Sequence, residues 1–195
     1  MQKPLIAVAL SGVLVSSEPF KKAHKFGMKE LAEKSGIKEI SKSTNDPNYF
    51  KKVEEAIAVM YPELTPEERI KKRRRIYLSR VIDNIKESGP EIETINYLKT
   101  IRNKYRLALV TSVTDEATKD ILRILNLENF FDFVLTTDQT EKDDKGIVIN
   151  KMIKTIGKPE FYLTTSNREE KLCQNLGINV VSNLEDLKSI INNSQ

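Results

Sequence analysis

The sequence predicts an α/β fold, a parallel sheet of about five strands with a helical block inserted after the first strand. Three observations carry this. Leu5–Leu10 is a continuous apolar run of strand length closed by Ser11-Gly12, the pattern of a strand buried on both faces. After about residue 105, short apolar runs alternate with helical patterns, as in βα units of a parallel sheet. Between these regions the chain reads as helix, so residues 1–16 and 91–195 form the α/β core and 17–90 a helical insert.

Each element has its own signal. The first helix runs from Pro19 to Lys34, with Phe20, Ala23, Gly27 and Leu31 on one face and Gly36 as its stop. Lys38–Asn45 is polar loop, and Asp46-Pro47 reads as N-cap and first residue of the next helix. That helix carries Phe50, Val53, Ile57 and Met60 at helical spacing and stops before Pro62. Thr65 and Glu68 have capping-box spacing, so a third helix starts there and runs to about Glu87. A fourth begins near Glu91, with Ile92, Ile95, Leu98 and Arg102 along a stripe. Strands are expected at Leu107–Val110, Phe133–Leu135, Phe161–Leu163 and Asn179–Val181. The helices between and after them are Asp115–Leu125, one ending near Gly157, Ser166–Leu176 and Leu184–Ile191.

Composition narrows the function classes. The chain has 195 residues, 39% hydrophobic and 31% charged, which favours a soluble globular protein, and no apolar run approaches a bilayer span. The first residues lack the h-region and cleavage site of a signal peptide, so Leu5–Leu10 is expected in the mature protein. A single cysteine, Cys173, excludes an intramolecular disulfide and fits a reducing cytoplasm. A single histidine, His24, excludes a multi-histidine metal site. The net charge of +4 demands no nucleic-acid partner. Lys71–Arg75 is the sharpest basic run, but five successive residues spread around a helix, so it reads as a solvated face with Ile70, Tyr77 and Val81 inward.

The first strand and its turn resemble the opening motif of the haloacid dehalogenase superfamily, an apolar strand followed by Asp-x-Asp-Gly-Thr-Leu. Aligned on Gly12 and Leu14, the family's nucleophilic aspartate falls on Ala9, its acid/base aspartate on Ser11 and its threonine on Val13. The second motif, a strand ending in a phosphate-holding hydroxyl, fits Thr111 and Ser112 after Leu107–Val110. The third, a lysine before a helix, falls on Lys142 or Lys145 in a charged loop. The fourth, Gly-Asp-Ser-x-x-Asp, falls on Thr164–Glu169, with its register set by Leu172, Cys173 and Leu176-Gly177. The metal aspartate then falls on Thr165, and the second acid is retained as Glu169, which also has capping-box spacing from Ser166 and is read here as a cap. Cys173 falls on a small core position, and a helical cap between the first two motifs is a family layout. The resemblance implies a Rossmann-like core with strand order 5-4-1-2-3.

The missing groups decide the expected chemistry. Alanine cannot form a covalent intermediate, and serine is no proton-transferring carboxyl at neutral pH. Ala9 and Thr165 remove two carboxylate ligands that Mg²⁺ would require, so no cofactor is expected. With the acids gone and a lysine kept, the pocket is expected to be net positive. Ser11, Gly12, Thr111, Ser112, Lys142 and Lys145 then suit a phosphate-like anion. The expected function is a cytoplasmic haloacid dehalogenase-like protein without phosphohydrolase activity that binds such an anion or a protein partner. Two alternatives stand beside it. One is an active Mg²⁺-dependent hydrolase rebuilt around Glu18, Asp138, Asp143 or Asp144; the other is nucleic-acid association through Lys71–Arg75.

Overall fold

The computed structural model describes residues 3–37, 40, 49–137 and 144–193. It builds its sheet around β1 (Leu5–Ala9), in which every residue is buried. A strand with no solvent face must be paired on both edges and covered on both sides, and its apolar sequence meets that need. β2 (Arg106–Thr114) pairs with it in parallel on one side, Leu5 opposite Arg106 and Ala9 opposite Val110. β4 (Phe161–Leu163) pairs in parallel on the other, Val8 opposite Leu163. β3 (Phe133–Thr137) and β5 (Asn179–Val181) complete the parallel sheet in the order β3-β2-β1-β4-β5. Read from its other edge, this is the order that the family resemblance implies.

The chain divides into two compact units, one of residues 18–87 and the other of 1–17 with 88–195. The α/β unit covers its sheet with α4 (Ile92–Ile101), α5 (Asp115–Ile124), α6 (Lys145–Ile156), α7 (Asn167–Asn175) and α8 (Leu184–Asn193). Ile121, Leu98, Ile149, Met152 and Leu187 are fully buried, each such side chain contributing on the order of 1.5–3 kcal/mol. On α4 the buried residues are Ile95, Leu98 and Ile101, while Ile92 is 63% exposed and Arg102 lies on the surface. The expected stripe is thus rotated, because Ile101 rather than Ile92 continues it. Arg102 instead donates to the Asn129 carbonyl and stacks over the Phe130 ring.

β2 also runs further than expected. It continues past Val110 to Thr114, with a register irregularity against β3 over that stretch. The Val113 amide donates to Thr111 Oγ1 and the Thr137 hydroxyl to the Ser112 carbonyl, so side chains take up bonds that a bulged ladder leaves open.

The helical unit consists of α1 (Glu18–Ser35), α2 (Tyr49–Met60) and α3 (Pro66–Ser88). Leu31 and Ile40 pack with Val53, Ala56 and Ile57 into one apolar cluster. Gly36 ends α1 at φ +75°, a conformation that favours glycine. The Thr65 amide donates to Glu68 and the Glu68 amide to Thr65 Oγ1, so the capping box forms and pulls the Glu68 carboxyl below its usual range. The buried residues of α3 are Arg74, Leu78, Val81 and Ile85, at four-three-four spacing. The basic run is therefore no uniformly solvated face. Arg74 belongs to the buried stripe, and only Lys71, Lys72 and Arg75 of the five are exposed. The Asp46-Pro47 signal and most of the Lys38–Asn45 loop lie outside the described residues.

Candidate functional site at the carboxyl ends of the central strands

The sheet registers bring the C-terminal ends of β1, β2 and β4 side by side, which places Ala9 beside Val110 and Thr164 just beyond Leu163. Open α/β sheets put their sites at such ends. Ala9 is 1% exposed, and its methyl offers neither donor, acceptor nor nucleophile. The chain then turns sharply. The Leu14 and Val15 amides both donate to the Leu10 carbonyl, at 3.0 and 3.2 Å, and the Gly12 amide donates to the Val15 carbonyl at 2.7 Å. Gly12 sits at φ +79°, and a Cβ there would lie 1.9 Å from Thr165 Oγ1. Thr165 thus lies directly over the turn, and only glycine leaves it room. Ser11, Gly12 and Ser112 are half-buried, whereas Thr111 is buried and its hydroxyl engaged by Val113.

The charged part of the site centres on Glu169. Its Oε1 lies 3.3 Å from Lys145 Nζ, and its Oε2 accepts from the Tyr162 hydroxyl at 2.9 Å and the Thr164 hydroxyl at 3.0 Å. The Lys145 and Glu169 side chains are 16% and 17% exposed. Burial pushes the Lys145 ammonium below the ordinary lysine range, and the Glu169 charge opposes that push. Burial and the same carboxylate hold the Tyr162 phenol well above its usual value. Cys173 lies fully buried, its thiol pushed up to about 11 by burial and then by Glu169.

This arrangement corrects two expectations. Ser166 caps α7 by accepting from the Glu169 amide, but the Glu169 side chain does not complete a capping box. The Ser166 amide donates to Thr164 Oγ1 instead, freeing the carboxylate for Lys145 and Tyr162. The lysine also retains its counter-charge, so Lys145 and Glu169 together are neutral and add no net positive charge. Tyr162 went unread in the sequence. Its signal was present, because a buried phenol needs a hydrogen-bond partner and the next acid along the chain is Glu169.

The remaining candidates fall elsewhere. Lys142, Asp138 and Asp143 lie outside the described residues. Asp144 is the N-cap of α6 and accepts from the Gly146 amide at 2.8 Å. Glu18 opens α1 and pairs with Lys21. Among the described residues, no group of three or more His, Cys, Asp or Glu side chains gathers where a metal could be held, and no helix is long and apolar enough to cross a membrane.

Comparison with known proteins agrees with this architecture. A haloacid dehalogenase-like hydrolase from Streptococcus pneumoniae has 19% identity over 91% of this chain and 83% of its own, with a TM-score of 0.59. A candidate phosphatase from Clostridium difficile has 14% identity over 97% and 99%, with a TM-score of 0.62. The candidate hydrolase YfnB from Bacillus subtilis, solved with magnesium bound, has 15% identity over 98% and 100%, with a TM-score of 0.55. These likenesses are of fold. No curated protein matches the sequence. The family model for haloacid dehalogenase-like hydrolases matches residues 12–182, beginning at Gly12 and so after Ala9 and Ser11. The match spans most of the sequence, and the chain belongs to the haloacid dehalogenase-like hydrolase family.

Proposed function

We propose that this member of the family has lost phosphohydrolase activity. The observation that carries the reading is Ala9, an aliphatic side chain at the buried carboxyl end of the central strand, where the family's resemblance calls for a nucleophile. Ser11 cannot replace the missing acid, because a hydroxyl does not shuttle protons at neutral pH. The donors present do not fit Mg²⁺ either. The ion takes hard oxygen ligands in near-octahedral geometry, usually with one or two carboxylates. Of the described site residues only Glu169 is a carboxylate, and both its oxygens are engaged by Lys145, Tyr162 and Thr164.

The ligand class left to this site is a phosphate-like anion, held by the half-buried Ser11, Gly12 and Ser112 and by Thr111, with Lys145 donating beside the carboxylate that offsets its charge; Lys142, the other lysine of the motif, lies outside the described residues. Hydroxyls and turn amides at strand ends favour such groups. A protein partner is the other class consistent with a retired site. The single buried thiol suits a reducing cytoplasm. Nucleic-acid association is disfavoured by the division of the basic run between buried Arg74 and its exposed neighbours.

The test is hydrolysis of a generic aryl phosphate with and without Mg²⁺, beside Lys145→Ala to expose a contaminating phosphatase. Equal background in both proteins is expected. Mg²⁺-dependent turnover abolished by the variant would overturn the proposal and favour a nucleophile from a rebuilt loop. In parallel, phosphate and sulfate should raise the melting temperature, and the absence of any shift would remove the anion assignment.

A further inference from the structure

The helical unit carries a groove that the site does not use. α2 and α3, joined through residues 61–65, leave an open groove of about 300 Å³ between them. Ile57, Ala58 and Ile70 form its apolar floor. Its two walls have opposite charge, Glu54 and Glu55 on α2 facing Arg69 and Arg73 on α3. Both glutamates are exposed, and neither is held in an ion pair among the described residues. Arg69 is fixed in place, donating through Nε to the Tyr61 carbonyl and through Nη2 to that of Pro62. The acidic wall is therefore unpaired among the described residues, while both arginines of the basic wall already make contacts within the chain.

We infer that the groove is a self-association surface whose occupant is a second copy of this chain. A two-fold contact must be self-complementary, the same patch serving both copies. This patch is. Turned about a two-fold axis across the groove, the acidic α2 wall of one copy meets the basic α3 wall of the other, and the same contact occurs twice. The four helices then enclose Ala58 and Ile70 from both copies, the layout of a four-helix bundle. A foreign segment would have to bring one acidic and one basic edge at matching separation; a second copy carries both. The exposed Lys71, Lys72 and Arg75 lie off the face that presents Arg69, Ile70 and Arg73, so they do not oppose the approach.

Sedimentation velocity on the full chain across a micromolar dilution series tests this. The wild type should sediment as a species of twice 22.3 kDa. Glu54→Arg with Glu55→Arg should abolish that species, as should Arg73→Glu, each with unchanged helical circular dichroism. An equimolar mixture of the two variants should regain it, because the swapped walls are complementary. Ala58→Trp, which blocks the floor without changing charge, covers the case in which a charge variant fails to fold and should also give monomer. A wild type that stays monomeric throughout overturns the inference, and binding of a polyglutamate or polylysine probe to that monomer would assign the groove to a foreign partner. A dimer that survives all the variants overturns it equally.

Discussion

Replacing Glu169 with glutamine isolates the charge of the buried pair while keeping an acceptor for Tyr162 and Thr164. At the observed 3.3 Å, two unit charges in an effective dielectric of about 20 attract by about 5 kcal/mol. The variant has an escape, because Lys145 can fold neutral. Removing a proton at pH 7 from an ordinary lysine of pKa about 10.4 costs about 4.6 kcal/mol, which caps the loss. Loss of one partner from buried pairs costs about 3–5 kcal/mol, in the same range. Each kcal/mol lowers the melting temperature of a chain this size by about 2–4 °C, so a fall of about 6–18 °C is expected. The pH dependence gives the sign. Lys145 already sits below the ordinary lysine range, and losing Glu169 lowers it further. Between that lowered value and the unfolded value the unfolded chain binds more protons, so stability rises with pH across that window. Glu169→Gln should therefore melt closer to wild type at pH 9 than at pH 7. Lys145→Met should also destabilise, and the double variant should lose less than the two single losses summed. Melts followed by circular dichroism decide it. A Glu169→Gln variant within about 1 °C of wild type at both pH values, or strictly additive losses, would refute the reasoning.

Other perturbations have sharper local readouts. Gly12→Ala should destabilise by about 1–3 kcal/mol through its φ of +79° and the contact with Thr165; Thr165→Ala should recover only the contact part, and full recovery would show that the backbone conformation carries no cost. Cys173 should resist alkylation in the native protein at pH 8, because its thiol is buried and titrates near 11, and should react fully in denaturant; rapid native labelling would contradict the burial. Thr65→Ala should remove the α3 cap and destabilise the helical unit by about 1 kcal/mol, whereas Thr65→Ser should leave the melt nearly unchanged.

The sheet was legible because its signals are local and redundant. Leu5–Leu10 can scarcely be anything but a central strand, and the Gly12 and Gly36 punctuation fell where the backbone takes positive φ. The misread features share a different cause. Periodicity puts Ile92 on the α4 stripe, but it does not fix a helix's rotation against its neighbours; the charge of Lys71–Arg75 reads as a solvated face, but it does not show which of five successive residues falls on the buried side, as Arg74 does. Glu169 was placed by its spacing from Ser166, yet the partners that hold it come from β4 and α6, brought together only by the fold. Spacing along one helix records the local competitor for a side chain, while a buried hydroxyl on an adjacent strand is visible only as a need without an address. The β2 extension beyond Thr111 followed the same rule, since its bonds run to Thr137.

The central position of β1 also sets the timing of assembly. Leu5 finds its β2 partner at Arg106, and Ile6 its β4 partner at Phe161. At synthesis rates of about 5–20 residues per second, the most apolar strand of the sheet waits roughly 5–20 s for its first neighbour and longer for its second. The helical unit of residues 18–87 leaves the ribosome within that interval. A nascent chain halted before Phe161 therefore carries β1 with one edge open, a ready target for chaperones and for pairing with other chains. Trapping yields should be high for chains stalled short of that residue and fall steeply once β4 has emerged.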